Sequence, residues 1–159
     1  MDKKKIFYIT AAAVLIYLIM ATTKVFGKIT QKNEMRGADK WGSGAFGASR
    51  GGRQHNGVDI VVYPGQDIKA PISGKITRHA IAYANDPDFK GLVIENDRYQ
   101  VKMLYLNPSY QPGTTVTKGA VIATAQNIAS KYPGMVPHVH FEVLDKQTNK
   151  IIDPTKMFE

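Results

Sequence analysis

His138-Val139-His140-Phe141-Glu142-Val143-Leu144 is the stretch on which the reading of this chain turns. Its β-branched and aromatic residues read as a strand, and in a strand side chains at i and i+2 share a face. His138 and His140 therefore point the same way, roughly 6–7 Å apart, and Glu142 continues that face. A single metal ion can bind one of the two imidazoles and leave the other free beside it. Earlier in the chain, His55-Asn56-Gly57-Val58-Asp59 supplies a further histidine and a carboxylate. Two histidines and one carboxylate form a three-ligand set with the fourth position open, the arrangement of catalytic zinc.

His55 and Asp59 are spaced i,i+4, which would meet on one face of a helix. This segment is not helical: Asn56-Gly57 is a turn signal, and Val58, Ile60, Val61 and Val62 are β-branched. A straight strand would hold the two positions about 13 Å apart, so the chain is expected to bend at Asn56-Gly57. Paired histidines on a strand face are commonplace, and neither motif alone specifies a metal. Together, each flanked by β-patterned sequence, they argue for one. His79, alone between Arg78 and Ala80, reads as a surface residue.

Outside these motifs, short strands alternate with turn signals. Val58–Tyr63 ends at Pro64-Gly65; Asp67–Ala70 and Gly74–Arg78 flank Pro71-Ile72-Ser73. Leu92–Asn96 and Gln100–Leu106 read as a hairpin, Val121–Ala125 and His138–Leu144 as further strands, and Asn127–Lys131 as a short helical turn. This spacing indicates a mainly β protein, an antiparallel sandwich or barrel. Pro64-Gly65-Gln66-Asp67-Ile68 resembles Pro112-Gly113-Thr114-Thr115-Val116, a hint of internal repetition. Arg36 to Arg53 is dense in Gly, Ser and Ala, and Trp41 and Phe46 mark it as an ordered loop anchored by those rings.

The chain has 159 residues, no cysteine and a net charge of +8. Disulfides and thiolate metal sites are excluded, so a metal must be held by nitrogen and oxygen. The positive charge is spread thinly, without an aromatic-interleaved basic patch, which fits a polyanionic envelope surface and not nucleic acid. Residues 1–27 stand apart. Lys3-Lys4-Lys5 precede an uncharged stretch from Ile6 to Thr23, the pattern of an export signal. That stretch is nearly long enough to span a bilayer, and the lysines favour a cytoplasmic N-terminus. Ile19-Met20-Ala21 is a poor cleavage site, which favours an uncleaved transmembrane anchor over a cleaved signal. Either way the domain is expected outside the cytoplasm: membrane-anchored at the periplasm or cell surface, or secreted if the signal is cleaved. The expected organisation is an anchor over 1–27, a linker with some helix over 28–40 and a β domain over 41–159.

Phe46-Gly47, Arg50, His55-Asn56-Gly57-Val58-Asp59-Ile60, Pro64-Gly65, Ala70-Pro71 with Gly74, Lys118-Gly119 and His138-Val139-His140-Phe141-Glu142-Val143 occur in order. On these residues the chain resembles the lysostaphin-type zinc metallopeptidases, which cut the peptide part of bacterial peptidoglycan. The resemblance covers about Trp41 to Pro154. It implies a mainly antiparallel β domain, a duplicated hybrid motif; one Zn2+ ion held by His55, Asp59 and His140; a catalytic His138; and peptidoglycan peptides or another cell-envelope polymer as partner. Glu142 reads equally as support for the ligands from behind and as a solvent-facing residue.

The chain departs from this family at one place. The family's second catalytic histidine lies in a Tyr-x-His-Leu segment, and here Met103-Leu104-Tyr105-Leu106 puts Tyr105 at its position. With Val101-Lys102 and Tyr132-Pro133-Gly134, this segment is similar to leukocyte cell-derived chemotaxin, an animal relative that keeps the zinc site and is regarded as a binding protein. A phenol titrates near ~10, so Tyr105 is a hydrogen-bond donor at neutral pH and not a base. Two readings follow: an exported zinc endopeptidase acting on peptidoglycan cross-links, with His138 and Tyr105 as its catalytic groups, and a zinc-binding module without catalysis that binds or regulates at the envelope. Whether the Gly-rich Arg36–Arg53 loop covers the metal is left open by the sequence; Asn33 and Asp39 are the candidate caps if it does.

Overall fold

The computed structural model describes residues 24–158. The anchor expected over residues 1–27 lies almost wholly outside them. Among the described residues no helix is long and apolar enough to cross a membrane. The strands are β1 (Ala38–Asp39), β2 (Gly42–Ser43), β3 (Gly57–Val61), β4 (Asp67–Lys69), β5 (Gly74–Tyr83), β6 (Asp86–Glu95), β7 (Tyr99–Leu104), β8 (Leu106–Pro108), β9 (Thr115–Val116), β10 (Val121–Ala125), β11 (His138–Asp145) and β12 (Lys150–Ile152). One turn of 3-10 helix, Ile128–Ser130, falls where a short helical turn was expected.

The large sheet runs β12-β11-β7-β6-β5-β9, the small one β4-β10-β8, and β1 and β2 form a separate ribbon. These strand pairings are antiparallel, as the turn-punctuated sequence implies. β3 and β12 share one edge of β11: β3 lies against His138–Glu142 and β12 against Val143–Asp145. The alternation of β11 is clean. Val139, Phe141 and Val143 are fully buried in the core, and the histidines and Glu142 take the other face.

The faint repeat is a structural one. β4 pairs with β10, and its counterpart β9 pairs with β5. Gly65 N–H donates to Ala125 O while Ala125 N–H donates to Gln66 O; in the second copy Gly113 N–H donates to Ile76 O and Ile76 N–H to Thr114 O. Gly65 and Gly113 both have positive φ, 82° and 98°, a conformation that costs other residues about 1–2 kcal/mol. The two Pro-Gly turns are thus the same device used twice, each handing its strand to the other half.

Several elements differ from expectation. β5 and β6 continue through Tyr83 and back from Asp86 as one long hairpin, where only Gly74–Arg78 and Leu92–Asn96 read as strand. The outer part of that hairpin is largely exposed on both faces, so it carries no apolar alternation to reveal it. The strand expected to run unbroken from Gln100 to Leu106 breaks at Tyr105, where φ is 67°. There the chain leaves the large sheet as β7 and enters the small one as β8. Residues 28–40, expected to hold some helix, contain a strand and bends instead. They are bound to the domain: Ile29 is fully buried, and Met35 bridges Ile60.

The core also closes over both ends of the described chain. The Phe141 ring lies 4.9 Å from that of Phe158 and 5.9 Å from that of Phe26. Val25 and Phe26 N–H groups both donate to Met157 O at 2.9 Å. Burying each of these rings contributes roughly 1.5–3 kcal/mol, so the chain on either side of the β domain belongs to it energetically.

Candidate metal centre

Register builds the centre. In β3, Val58 and Ile60 face the core and Asp59 faces the other way; in β11, His140 stands directly opposite Asp59. Residues opposed in antiparallel strands share a face, which brings these two side chains together. His55 arrives from the loop just before β3. The chain bends there as expected, since His55 Nε2 comes within 3.2 Å of Asp59 Oδ1, and Gly57 admits the bend by close approach. Its φ is not positive, but a Cβ there would lie 2.4 Å from Phe141 O and 2.9 Å from His140 Cε1.

The three potential ligand atoms form a tight triangle. His55 Nε2 lies 2.9 Å from His140 Nδ1, and each lies 3.2 Å from Asp59 Oδ1. Ligands about 2.0–2.1 Å from a tetrahedral zinc ion stand about 3.3 Å apart, so this triangle fits that ion. The donor set of two imidazoles and a carboxylate is also one that zinc takes. His138 Nε2 stands alongside, 3.7 Å from Asp59 Oδ1.

Each of these side chains is oriented from behind. His55 Nδ1–H donates to Ala45 O at 2.9 Å, leaving Nε2 with a lone pair toward the triangle. His138 Nδ1–H donates to Val136 O at 2.8 Å, which likewise leaves Nε2 unprotonated and free. Glu142 lies 3.7 Å from His140 Nε2 and is held by Lys102 at 2.7 Å, so of its two readings the supporting one has a geometric basis. The second oxygen of Asp59 accepts from Arg36 Nε and Nη2 at 3.3 and 3.0 Å, with Arg50 Nη2 at 3.5 Å.

This is a buried polar cluster: His55, Asp59, His138 and Arg36 are each at most 5 % exposed. Buried charge is tolerated only when it is paired. Burial opposes ionisation of Asp59, but the hydrogen bond from His140 and the imidazoles beside it outweigh that and hold the carboxyl well below the usual range. Burial also pushes the His138 imidazole down, which keeps it neutral. Burial works against protonated His140 too, yet its bond to Asp59 prevails and raises it. A zinc ion would take the place of that proton.

The opposite wall of the cleft is aromatic. Tyr105 packs edge-on against His138 with centroids 5.3 Å apart, and its hydroxyl lies 3.0 Å from that of Tyr83. Phe89 packs against both tyrosines. Trp41 packs on Tyr132 at 5.1 Å, so one anchor of the Gly-rich loop rests on this wall while the other, Phe46, packs on the core. The cleft between the walls has a volume of about 380 Å³ and is lined by Tyr83, Tyr105, Trp41 and the polar cluster.

His55, Asp59, His138, His140, Glu142 and Tyr105 are therefore all at one place. Asn33 and Asp39 are not candidates for capping it. Asn33 Oδ1 accepts from Ile29 and Thr30 N–H, and Asp39 binds Arg36 and Trp41 N–H. Exposed His79 is bonded to Tyr110 O, away from the cleft, as its isolation implied. Arg36 and Tyr83 went unrecognised in the sequence; neither sits in a motif, and only tertiary pairing reveals them.

Residues 53–154, well over half of the chain, match Peptidase family M23. Leukocyte cell-derived chemotaxin-2 of Mus musculus is 33% identical over 77% of this chain and 78% of its own length. Myeloid protein 1 of Gallus gallus is also 33% identical, over 80% of this chain, which spans 38% of that relative. Among solved structures, a zinc containing peptidase from Vibrio cholerae superimposes with a TM-score of 0.53 and 26% identity, covering 80% of this chain and 40% of that one.

Proposed function

The chain belongs to Peptidase family M23, and we propose that it is a zinc metalloendopeptidase that hydrolyses peptide cross-links of peptidoglycan outside the cytoplasm. The observation that carries this reading is the convergence of His55 Nε2, Asp59 Oδ1 and His140 Nδ1 with an uncommitted imidazole, His138, beside them. When bound, zinc supplies a Lewis acid for the scissile carbonyl and acidifies a water molecule. The rest falls to the chain. His138 Nε2, left free by its Nδ1–H bond to Val136 O, accepts a proton from the attacking water and returns it to the leaving amine. Tyr105 donates a hydrogen bond to the oxygen on which charge develops. Arg36 and Arg50 hold the Asp59 carboxylate in one orientation, and Glu142 does so for His140.

A second reading has its own observation. Tyr105 stands where the family resemblance places an imidazole, its phenol is pushed up by burial, and it cannot shuttle a proton at neutral pH. A zinc-holding module without turnover, binding or regulating at the envelope, fits that feature.

Ile6–Thr23 is the proposed membrane tether. With Val25 already hydrogen-bonded to Met157, the domain would follow the tether without a spacer, close to the membrane surface. Protease digestion of intact cells checks the placement: an outward domain is cut without lysis, a cytoplasmic one is not.

The function is tested by peptide release from purified peptidoglycan by the zinc-loaded full-length chain in mild detergent, with chelator and His140→Ala controls. Release that both controls abolish supports the peptidase. No release across several cross-link types, from protein shown to hold zinc, leaves the binding module.

A further inference from the structure

Tyr83 has no counterpart in any motif of the sequence, yet it is the residue that fixes Tyr105. Their hydroxyls are 3.0 Å apart, and the Tyr132 ring packs on that of Tyr83 with centroids 6.2 Å apart. The pair is clamped from outside. Phe89 packs on both rings, and Lys131 lies 4.9 Å over the Tyr83 ring while it pairs with Asp86 at the hairpin tip. The hydroxyl of a tyrosine has one proton, so the direction of each bond decides what the next atom can do. Groups on the far side of the cleft are acceptors: His138 Nε2 carries a lone pair because Nδ1–H is bound to Val136 O, and Asp59 is a carboxylate. If Tyr105 donated to Tyr83, it would face these groups with lone pairs alone. If Tyr83 donates to Tyr105, the Tyr105 proton is free to face the cleft, and accepting a bond makes it a stronger donor.

We infer that Tyr83 is a positioning residue, which donates to Tyr105 Oη and turns the Tyr105 proton into the cleft to bind the anionic oxygen of a tetrahedral ligand at the metal. This rests on the peptidase reading for the identity of that oxygen. It adds to that reading a two-tyrosine donor in place of a single side chain.

A double-mutant cycle tests it, with Tyr83→Phe, Tyr105→Phe and both together in the zinc-loaded full-length chain. The probe is a short phosphinic pseudopeptide of Gly and Ala, whose P–O⁻ group copies a tetrahedral oxyanion; affinity is read by calorimetry, with zinc content and thermal midpoint as controls. Tyr83→Phe is expected to weaken binding about five- to tenfold with zinc content unchanged. Tyr105→Phe should weaken it at least as much, and the double variant no more than Tyr105→Phe alone. An equal loss from Tyr83→Phe in both backgrounds, no loss at all, or no probe binding by the wild-type chain overturns the inference. If the cycle holds while the wild-type chain releases no peptide from peptidoglycan, the donor pair stands and the peptidase reading falls.

Discussion

The two walls of the cleft are built to different standards of commitment. On the β3–β11 wall, each potential ligand has its uncoordinated atom engaged: His55 by a backbone carbonyl, Asp59 by two arginines, His140 by Glu142. Such support makes a site geometrically definite and its partners costly to remove. The facing wall is made of rings, with Tyr105 at its edge in a left-handed conformation, φ 67°, unusual for a residue with a side chain. That strain is located where the strand changes sheets and where the family resemblance puts a catalytic imidazole. The contrast separates the potential metal ligands, each fixed from behind, from the hydroxyls that face them across the cleft.

The largest effect should come from breaking the polar wall at its centre. Asp59→Ala removes a potential ligand and leaves Arg36, which is 4 % exposed, with its Asp39 partner alone, so we expect loss of zinc and a destabilisation of about 3 kcal/mol in urea unfolding. Retained stoichiometric zinc would show that Asp59 is not a ligand. Next, Tyr105→His restores an imidazole to the aromatic wall. Peptide release should rise on the order of 10²-fold with zinc affinity unchanged; an unchanged rate would mean that the wall does not limit turnover. Glu142→Gln should weaken zinc binding about tenfold in a competitive titration, and wild-type affinity there would show His140 to be oriented without it. Acidification gives a related check. Because Asp59 raises His140 above its ordinary value, zinc retention should decline as pH falls through that raised range and recover on return. The smallest effect is expected for Lys131→Ala, whose thermal midpoint should barely move, since its ion pair with Asp86 is on the surface.

The polar wall was the legible one. His138 and His140 on one strand face, with His55 and Asp59 upstream, are local patterns that survive translation into sequence, and strand alternation then dictates their direction. The Pro-Gly turns were legible for the same reason. Tyr105 could be read as a substitution, but not as a corner, because a non-glycine residue in the left-handed region leaves no compositional mark. Arg36 and Tyr83 act through partners 23 and 22 positions away, chosen by packing and not by spacing. The packed segment around Phe26 and Ile29 was hidden by adjacency to an apolar run, which absorbed Phe26 into a supposed anchor and left Ile29 in a supposed linker.

On the proposed reading, the polar wall holds one zinc ion with a fourth position open. X-ray absorption at the zinc edge of the purified full-length chain tests it most directly. We expect one equivalent of zinc with two imidazoles, one carboxylate oxygen and one water-type oxygen, unchanged in His138→Ala. Absence of bound zinc would contradict the claim, and so would a third imidazole that His138→Ala removes, since His138 would then close the site and leave no place for a substrate.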